Sequence, residues 1–217
     1  MHRRAHTLIS GIAILLIASC SGGHSGEPNP TTTTTSTESE SADTDNSSPT
    51  HGAPSVPSPL DVRDIIDDPC SALTKQQTDS FPGTLDSTET AKTTLLSEKE
   101  TSCNWNFQGD RYSYGGFIAG VALPRDTFHG VSSIYEADEK DEYEVFEPVK
   151  VAGYPAVINN ETDNADSGDC RLSVGLRNDT AYRITADPSS ESPDYDQPCE
   201  QAKKLAEFVV ENLKEAQ

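Results

Sequence analysis

Cysteine placement constrains this chain more than any other feature. Cys20 closes an apolar run near the N-terminus, and Cys70, Cys103, Cys170 and Cys199 are spread along the remainder. Once Cys20 is set aside, an even four are left. In an exported domain four cysteines read as two disulfides, with three possible connectivities. No two stand at CxxC spacing and no histidine cluster accompanies them, which argues against a zinc site or a redox motif. No cofactor and no metal are expected.

The N-terminus supplies the reason to set Cys20 aside. Arg3 and Arg4 precede an apolar stretch from Leu8 to Ala18, 11 residues long. A helix needs roughly 20 to cross a bilayer. A basic start, a short apolar run and small residues at its end describe a secretory signal. The closing residues Leu15-Leu16-Ile17-Ala18-Ser19-Cys20 are what a bacterial lipoprotein signal peptidase cuts in front of. Residues 1–19 are therefore expected to be removed. The Cys20 thiol would then carry a diacylglycerol, with a further acyl chain such as palmitate on the new amino group. Each buried CH₂ contributes about 0.8 kcal/mol, so two or more chains anchor stably. The expected location is the cell membrane, lipid-anchored on the extracytoplasmic face.

Residues 20–59 change character. From Ser21 to Pro59, 27 of 39 residues are Ser, Thr, Pro or Gly, and only Ala42, Ala53 and Val56 are apolar. Such a segment cannot bury enough surface to offset its chain entropy and is expected to be a disordered tether. As a flexible coil it would reach roughly 35 Å on average and about 130 Å drawn out. The Thr31–Thr35 run permits O-glycosylation, although a spacer needs none.

Residues 60–217 form one expected domain of 158 residues, with 31 Asp and Glu against 14 Lys and Arg, a formal charge of −17. That charge disfavours nucleic acid and anionic headgroups as partners. Asp68 and Pro69 suit a helix start at Cys70, and Thr74 begins a second short helical run that Phe81-Pro82-Gly83 ends. Residues 84–100 are Thr-rich and carry no clear period. Cys103, Trp105 and Phe107 alternate on one face of a strand, Gly109-Asp110 turns, and Tyr114 to Leu123 returns. Trp105, the only tryptophan, is read as core.

Phe128, Val131, Ile134 and Tyr135 fall at helical spacing, in a helix that runs out into the acidic stretch Glu136–Glu147. Charge runs of this kind are mostly solvated faces. In Val151–Ile158, Pro155 suggests an edge or a bulge. The loop Asp163–Asp169 resembles a calcium loop only superficially, because Ala165 and Val174 occupy positions that need oxygen ligands. Cys170 to Arg177 and Ala181 to Ala186 form a hairpin across Asn178-Asp179. Ala202, Leu205, Ala206, Val209 and Leu213 make the apolar stripe of a terminal helix that Pro198-Cys199 opens.

Pairing nearest neighbours, Cys70 with Cys103 and Cys170 with Cys199, joins a helix to a strand each time. Each closure is worth about 3–4 kcal/mol in lost chain entropy. The expected fold is α+β: a mostly antiparallel sheet of about five strands, with the N- and C-terminal helices mainly on one face.

Taken in order, the lipobox, the Ser/Thr/Pro linker, Asp68-Pro69-Cys70 with Leu73-Thr74, Cys103-x-Trp105, Gly153-Tyr154-Pro155-Ala156-Val157, Cys170-x-Leu172-x-Val174-Gly175 and Pro198-Cys199 form a recognisable set. The chain resembles the actinobacterial lipoprotein family catalogued as domain of unknown function 3558. That resemblance implies an envelope location and four paired cysteines, and it transfers no catalytic residue.

An enzyme is not expected. His129 is the only histidine in 60–217, and there is no GxSxG elbow, P-loop or dinucleotide fingerprint. The function expected is a non-enzymatic, lipid-anchored binding or accessory module, monomeric, whose partner is an envelope protein, glycan or lipid. The alternative is a carrier holding an apolar or lipid ligand in a cavity between sheet and helices.

Overall fold

A computed structural model describes residues 48–94, 99–125, 127–163 and 168–217. The signal peptide, Cys20 and the tether as far as Ser47 lie outside the described residues, as does the centre of the calcium-like loop, 164–167. Short helical pieces come first: α1 (Arg63–Asp67), a 3₁₀ turn (Pro69–Ala72) and α2 (Lys75–Thr78). Thr74 caps α2 through a reciprocal box, its Oγ1 accepting from the Gln77 N–H while Gln77 Oε1 accepts from the Thr74 N–H. Strands β1 (Thr84–Thr94), β2 (Lys99–Gln108) and β3 (Ser113–Leu123) follow, then α3 (Val131–Asp138). The chain ends with β4 (Val145–Val151), β5 (Tyr154–Asn160), β6 (Cys170–Arg177), β7 (Thr180–Pro188) and α4 (Pro198–Glu215).

The sheet has seven strands, not about five, in the order β1-β2-β3-β7-β6-β5-β4. Two antiparallel meanders meet where β3 pairs with β7. Both strands absent from the sequence-based expectation are edges. Strand β1 exposes most of its length and so lacks the apolar alternation of a half-buried strand, leaving only the β-propensity of its threonines as a signal. Strand β4 lies inside the acidic run, where exposed Glu147 and Pro148 interrupt its apolar residues. Accordingly α3 stops at Asp138 instead of running out toward Glu147. Pro155 sits in an interior strand, but as its second residue, outside the Ala156–Ile158 stretch that pairs with β6.

One face of the sheet carries Trp105, Phe117, Val121, Leu172, Val174 and Ile184, and α4 buries Leu205, Val209 and Leu213 against it. Helix α3 is on the other face. Phe128, Val131 and Ile134 cover Ala122, Val157 and Ala181 there, in a second, smaller core. The N- and C-terminal helices share the first face as expected, with Ile65, Ala72 and Leu73 in the core that α4 covers and Asn212 of α4 donating to the Ala72 carbonyl, and only the middle helix α3 is placed opposite. Strand alternation explains the split, since Val121 and Tyr182 point to one core and their neighbours Ala122 and Ala181 to the other.

Cys70 is bonded to Cys103, tying the 3₁₀ turn to β2, and Cys170 to Cys199, tying β6 to the first turn of α4. Both bonds join nearest neighbours in sequence.

The domain boundary also moves upstream of Leu60. Residues 48–59 run as a strap along α3 and the β6–β7 turn. The Thr50 N–H donates to Ser132 Oγ at 3.0 Å, and the Val56 N–H to Asn178 Oδ1 at 2.8 Å. His51 Nδ1 lies 2.8 Å from Glu139 Oε2, and Tyr154 donates to the Ser58 carbonyl at 2.8 Å. Val56 is buried beside Gly175, where an added Cβ would fall 3.2 Å from its Cγ2. Val56→Asp buries a carboxylate with no partner, so the strap should open locally without the sheet unfolding. Subtilisin should then cut within 48–59 at least about tenfold faster, and an unchanged rate would show that the backbone hydrogen bonds hold the strap unaided.

Candidate functional site

The β2–β3 hairpin builds a surface site around one tyrosine. A register shift after Phe107 lets the turn Gly109–Tyr112 close with a Gly109 N–H to Tyr112 carbonyl bond of 2.9 Å. Tyr112 projects from that turn at 57 % exposure, one of two strongly exposed large apolar residues among the described residues, the other being Ile118. Tyr114 is half-buried and its carbonyl accepts from the Ser189 N–H at 3.0 Å, which ties the hairpin to the loop after β7.

Two glycines make room for the Tyr114 ring. A Cβ on Gly109 would stand 2.2 Å from its Cε1 and Cζ, and one on Gly83 would stand 2.9 Å from its Cδ2. The ring is thus seated against backbone on two segments, and little of its rotamer freedom remains to be lost on binding.

Tyr114 lines two spaces. Outside it is a groove of about 500 Å³ edged by Asp86, Gln108 and Asp110. Inside it is a niche of about 20 Å³ walled by Phe81, Phe107, Phe117 and Pro188, with Ser192, Asp194 and, from α4, Gln201 as its polar members. The phenylalanines pack tightly: the Phe81 and Phe117 centroids are 4.7 Å apart, and Phe107 meets Phe117 edge-on at 5.9 Å. Lys204 Nζ lies 4.6 Å over the Phe81 ring. Gln201 Oε1 is buried and has no hydrogen-bond partner among the described residues. Such a niche holds one water or a methyl-sized group. An aromatic wall, a rigid ring and a ready acceptor inside, with carboxylates and an amide outside, suit an uncharged ligand that has hydroxyls and one small apolar substituent.

The residues singled out in the sequence fall elsewhere. Cys20 lies outside the described residues. Trp105 is 1 % exposed and belongs to the core. His129 is exposed on the segment before α3, and its backbone N–H donates to Ser133 Oγ at 2.7 Å, while that hydroxyl donates to the Thr127 carbonyl. The acidic stretch is dispersed: Glu136 pairs with Lys140 at 2.8 Å, Glu139 with His51, and Glu144 accepts from the Asp163 N–H at 3.1 Å. Among the described residues no three His, Cys, Asp or Glu side chains gather as metal ligands. Tyr182 has a buried hydroxyl without a partner among the described residues, and burial, with Glu100 second, pushes its pKa far up. It sits in the core and reaches no groove described above.

Sequence reasoning passed over the Tyr114 site. Its signal was there, two tyrosines in a hairpin punctuated by Gly109, Gly115 and Gly116, but alternation reads such residues only as strand.

These features define a disulfide-stapled α+β domain on a seven-stranded antiparallel sheet. Among the described residues no helix is long and apolar enough to cross a membrane. The chain belongs to the actinobacterial family described as protein of unknown function (DUF3558), whose profile matches residues 15–212. No curated protein and no solved structure gives a significant match.

Proposed function

We propose that this protein is an envelope lipoprotein, lipidated at Cys20, that holds a non-enzymatic binding module at the outer face of the membrane. The observation that carries the reading is cysteine parity: the four cysteines of the domain pair with one another, which leaves Cys20, behind its signal-like run, as the odd one. Disulfides persist in oxidising compartments, and the family match begins at residue 15, so it takes in the lipobox. The binding half rests on the Tyr114 groove. A carrier of a lipid chain is less well supported, because the niche between sheet and α4 measures about 20 Å³ and the larger space of about 480 Å³ beside α3, β4 and β5 is open to solvent, whereas such a ligand is enclosed in several hundred.

Cys20→Ser should shift the protein from the detergent phase to the aqueous phase on phase partitioning of envelope extracts, with the melting profile of the domain unchanged. Retention of the variant in the membrane fraction would rule out Cys20 as the anchor. Loss of a disulfide in the variant would overturn the whole cysteine assignment.

A further inference from the structure

We infer that the Tyr114 groove and its niche bind a neutral sugar bearing an acylamino group, an N-acetylated amino sugar within a polysaccharide. The inference deepens the binding-module reading and rests on it. Sugars present C–H faces and hydroxyls together, and proteins meet the first with a fixed aromatic ring and the second with planar acceptors and amides at its rim. Tyr114, seated between Gly83 and Gly109, is the ring, and Asp86, Asp110 and Gln108 are the rim. No hydrogen bond or ion pair found among the described residues engages the Asp86 or Asp110 carboxylates, so their lone pairs stand ready for hydroxyl donors.

The niche selects the substituent. An acetamido group has a methyl end and an N–H beside it. The niche has room for a methyl-sized group among Phe81, Phe107 and Phe117, and Gln201 Oε1 offers a buried acceptor with no other partner among the described residues. Leaving that oxygen unsatisfied is unfavourable, and an N–H carried beside a methyl that fills the niche is placed to relieve it, whereas a hydroxyl in its stead brings no methyl to fill the space. Charge selects against the alternatives. A groove edged by two carboxylates on a domain of net charge −17 repels anionic sugars and phosphates. A cationic amino sugar would be drawn to the rim and to Asp194, which also lines the niche, but it has no methyl to place among Phe81, Phe107 and Phe117.

The test uses the full-length lipoprotein in detergent, titrated calorimetrically with three disaccharides that differ at one position: N,N′-diacetylchitobiose, chitobiose with free amines, and cellobiose. Diacetylchitobiose should bind in the millimolar range or tighter and at least about tenfold more tightly than either of the others. Gln201→Leu should erase that preference, and Asp110→Ala, at an exposed turn position, should weaken binding several-fold while leaving the melting profile unchanged. Tyr114→Phe should bind as the native chain does, and Tyr114→Ala should lose binding.

Equal affinity for the acetylated sugar and cellobiose would overturn the acylamino assignment, and so would a preference for the free amine. No binding of any of the three by a folded protein would overturn the sugar site and leave the lipoprotein reading, tested by Cys20→Ser, untouched. Hydrolysis of a probe during the titration would overturn the non-enzymatic reading instead.

Discussion

Trp105→Ala should destabilise the domain by about 3–5 kcal/mol, the largest effect expected of any single substitution here. The indole is 1 % exposed, and its strand position puts it in a cross-sheet row with Phe117, Ala186 and Cys170. It therefore packs on the buried face of β2, in the row that crosses the β3–β7 joint and ends at the second disulfide. Truncation removes the transfer free energy of the ring and leaves a cavity that neither the paired strands nor the bonded Cys103 can close up. Domains of this size are commonly stable by about 5–15 kcal/mol, so the variant keeps its fold but melts roughly 10 °C or more lower. Far-UV circular dichroism in urea is the suitable readout, because the only tryptophan is gone. A loss below about 1 kcal/mol would mean that the site relaxes freely and that the joint between β2, β3 and β7 is not where the core is anchored.

The second large effect separates the two disulfides. Their sequence separations are 33 and 29 residues, so loss of either removes about 3–4 kcal/mol by loop entropy. What each holds is different. Cys199 fixes the 18-residue α4, which packs across β4, β6 and β7. Cys70 fixes only a 3₁₀ turn flanked by helices of 5 and 4 residues. Paired Cys170→Ala and Cys199→Ala should therefore lower the global unfolding midpoint. Paired Cys70→Ala and Cys103→Ala should show up first as faster hydrogen exchange in 63–78, ahead of any change in β3, β6 and β7. Uniform loss of protection along the chain in both variants would show that Ile65, Ala72 and Leu73, which share the core with α4, hold it as firmly as α4 does.

Much of the fold was legible where burial writes a period into the chain. Cys170, Leu172, Val174 and Leu176 alternate because one face of β6 is wholly buried, and the stripe Ala202, Leu205, Ala206, Val209, Leu213 repeats because α4 lies flat on that face. Both edge strands were illegible for the complementary reason. Among the described residues most of β1 and the middle of β4 are exposed, so no apolar period was selected there, and a Thr-rich or acidic stretch reads as loop. The strap at 48–59 escaped notice in the same way. It is held by Val56 and a handful of hydrogen bonds to residues more than 80 positions distant, such as Thr50 to Ser132, and composition carries no trace of such partners.

From the sequence by itself came the properties carried by local residue order and by parity: an apolar run too short to span a bilayer, a cysteine at its end, four cysteines free to pair, an acidic domain and its best-buried elements. Tertiary structure alone decided how many strands pair, on which face α3 lies, where the domain begins, and that Tyr114 meets Gly83, Gly109 and Gln201. The physical reason is range. Periodicity and capping are set within one or two turns of chain, whereas edges, straps and grooves form between segments whose contact is visible only once the whole sheet has closed around them.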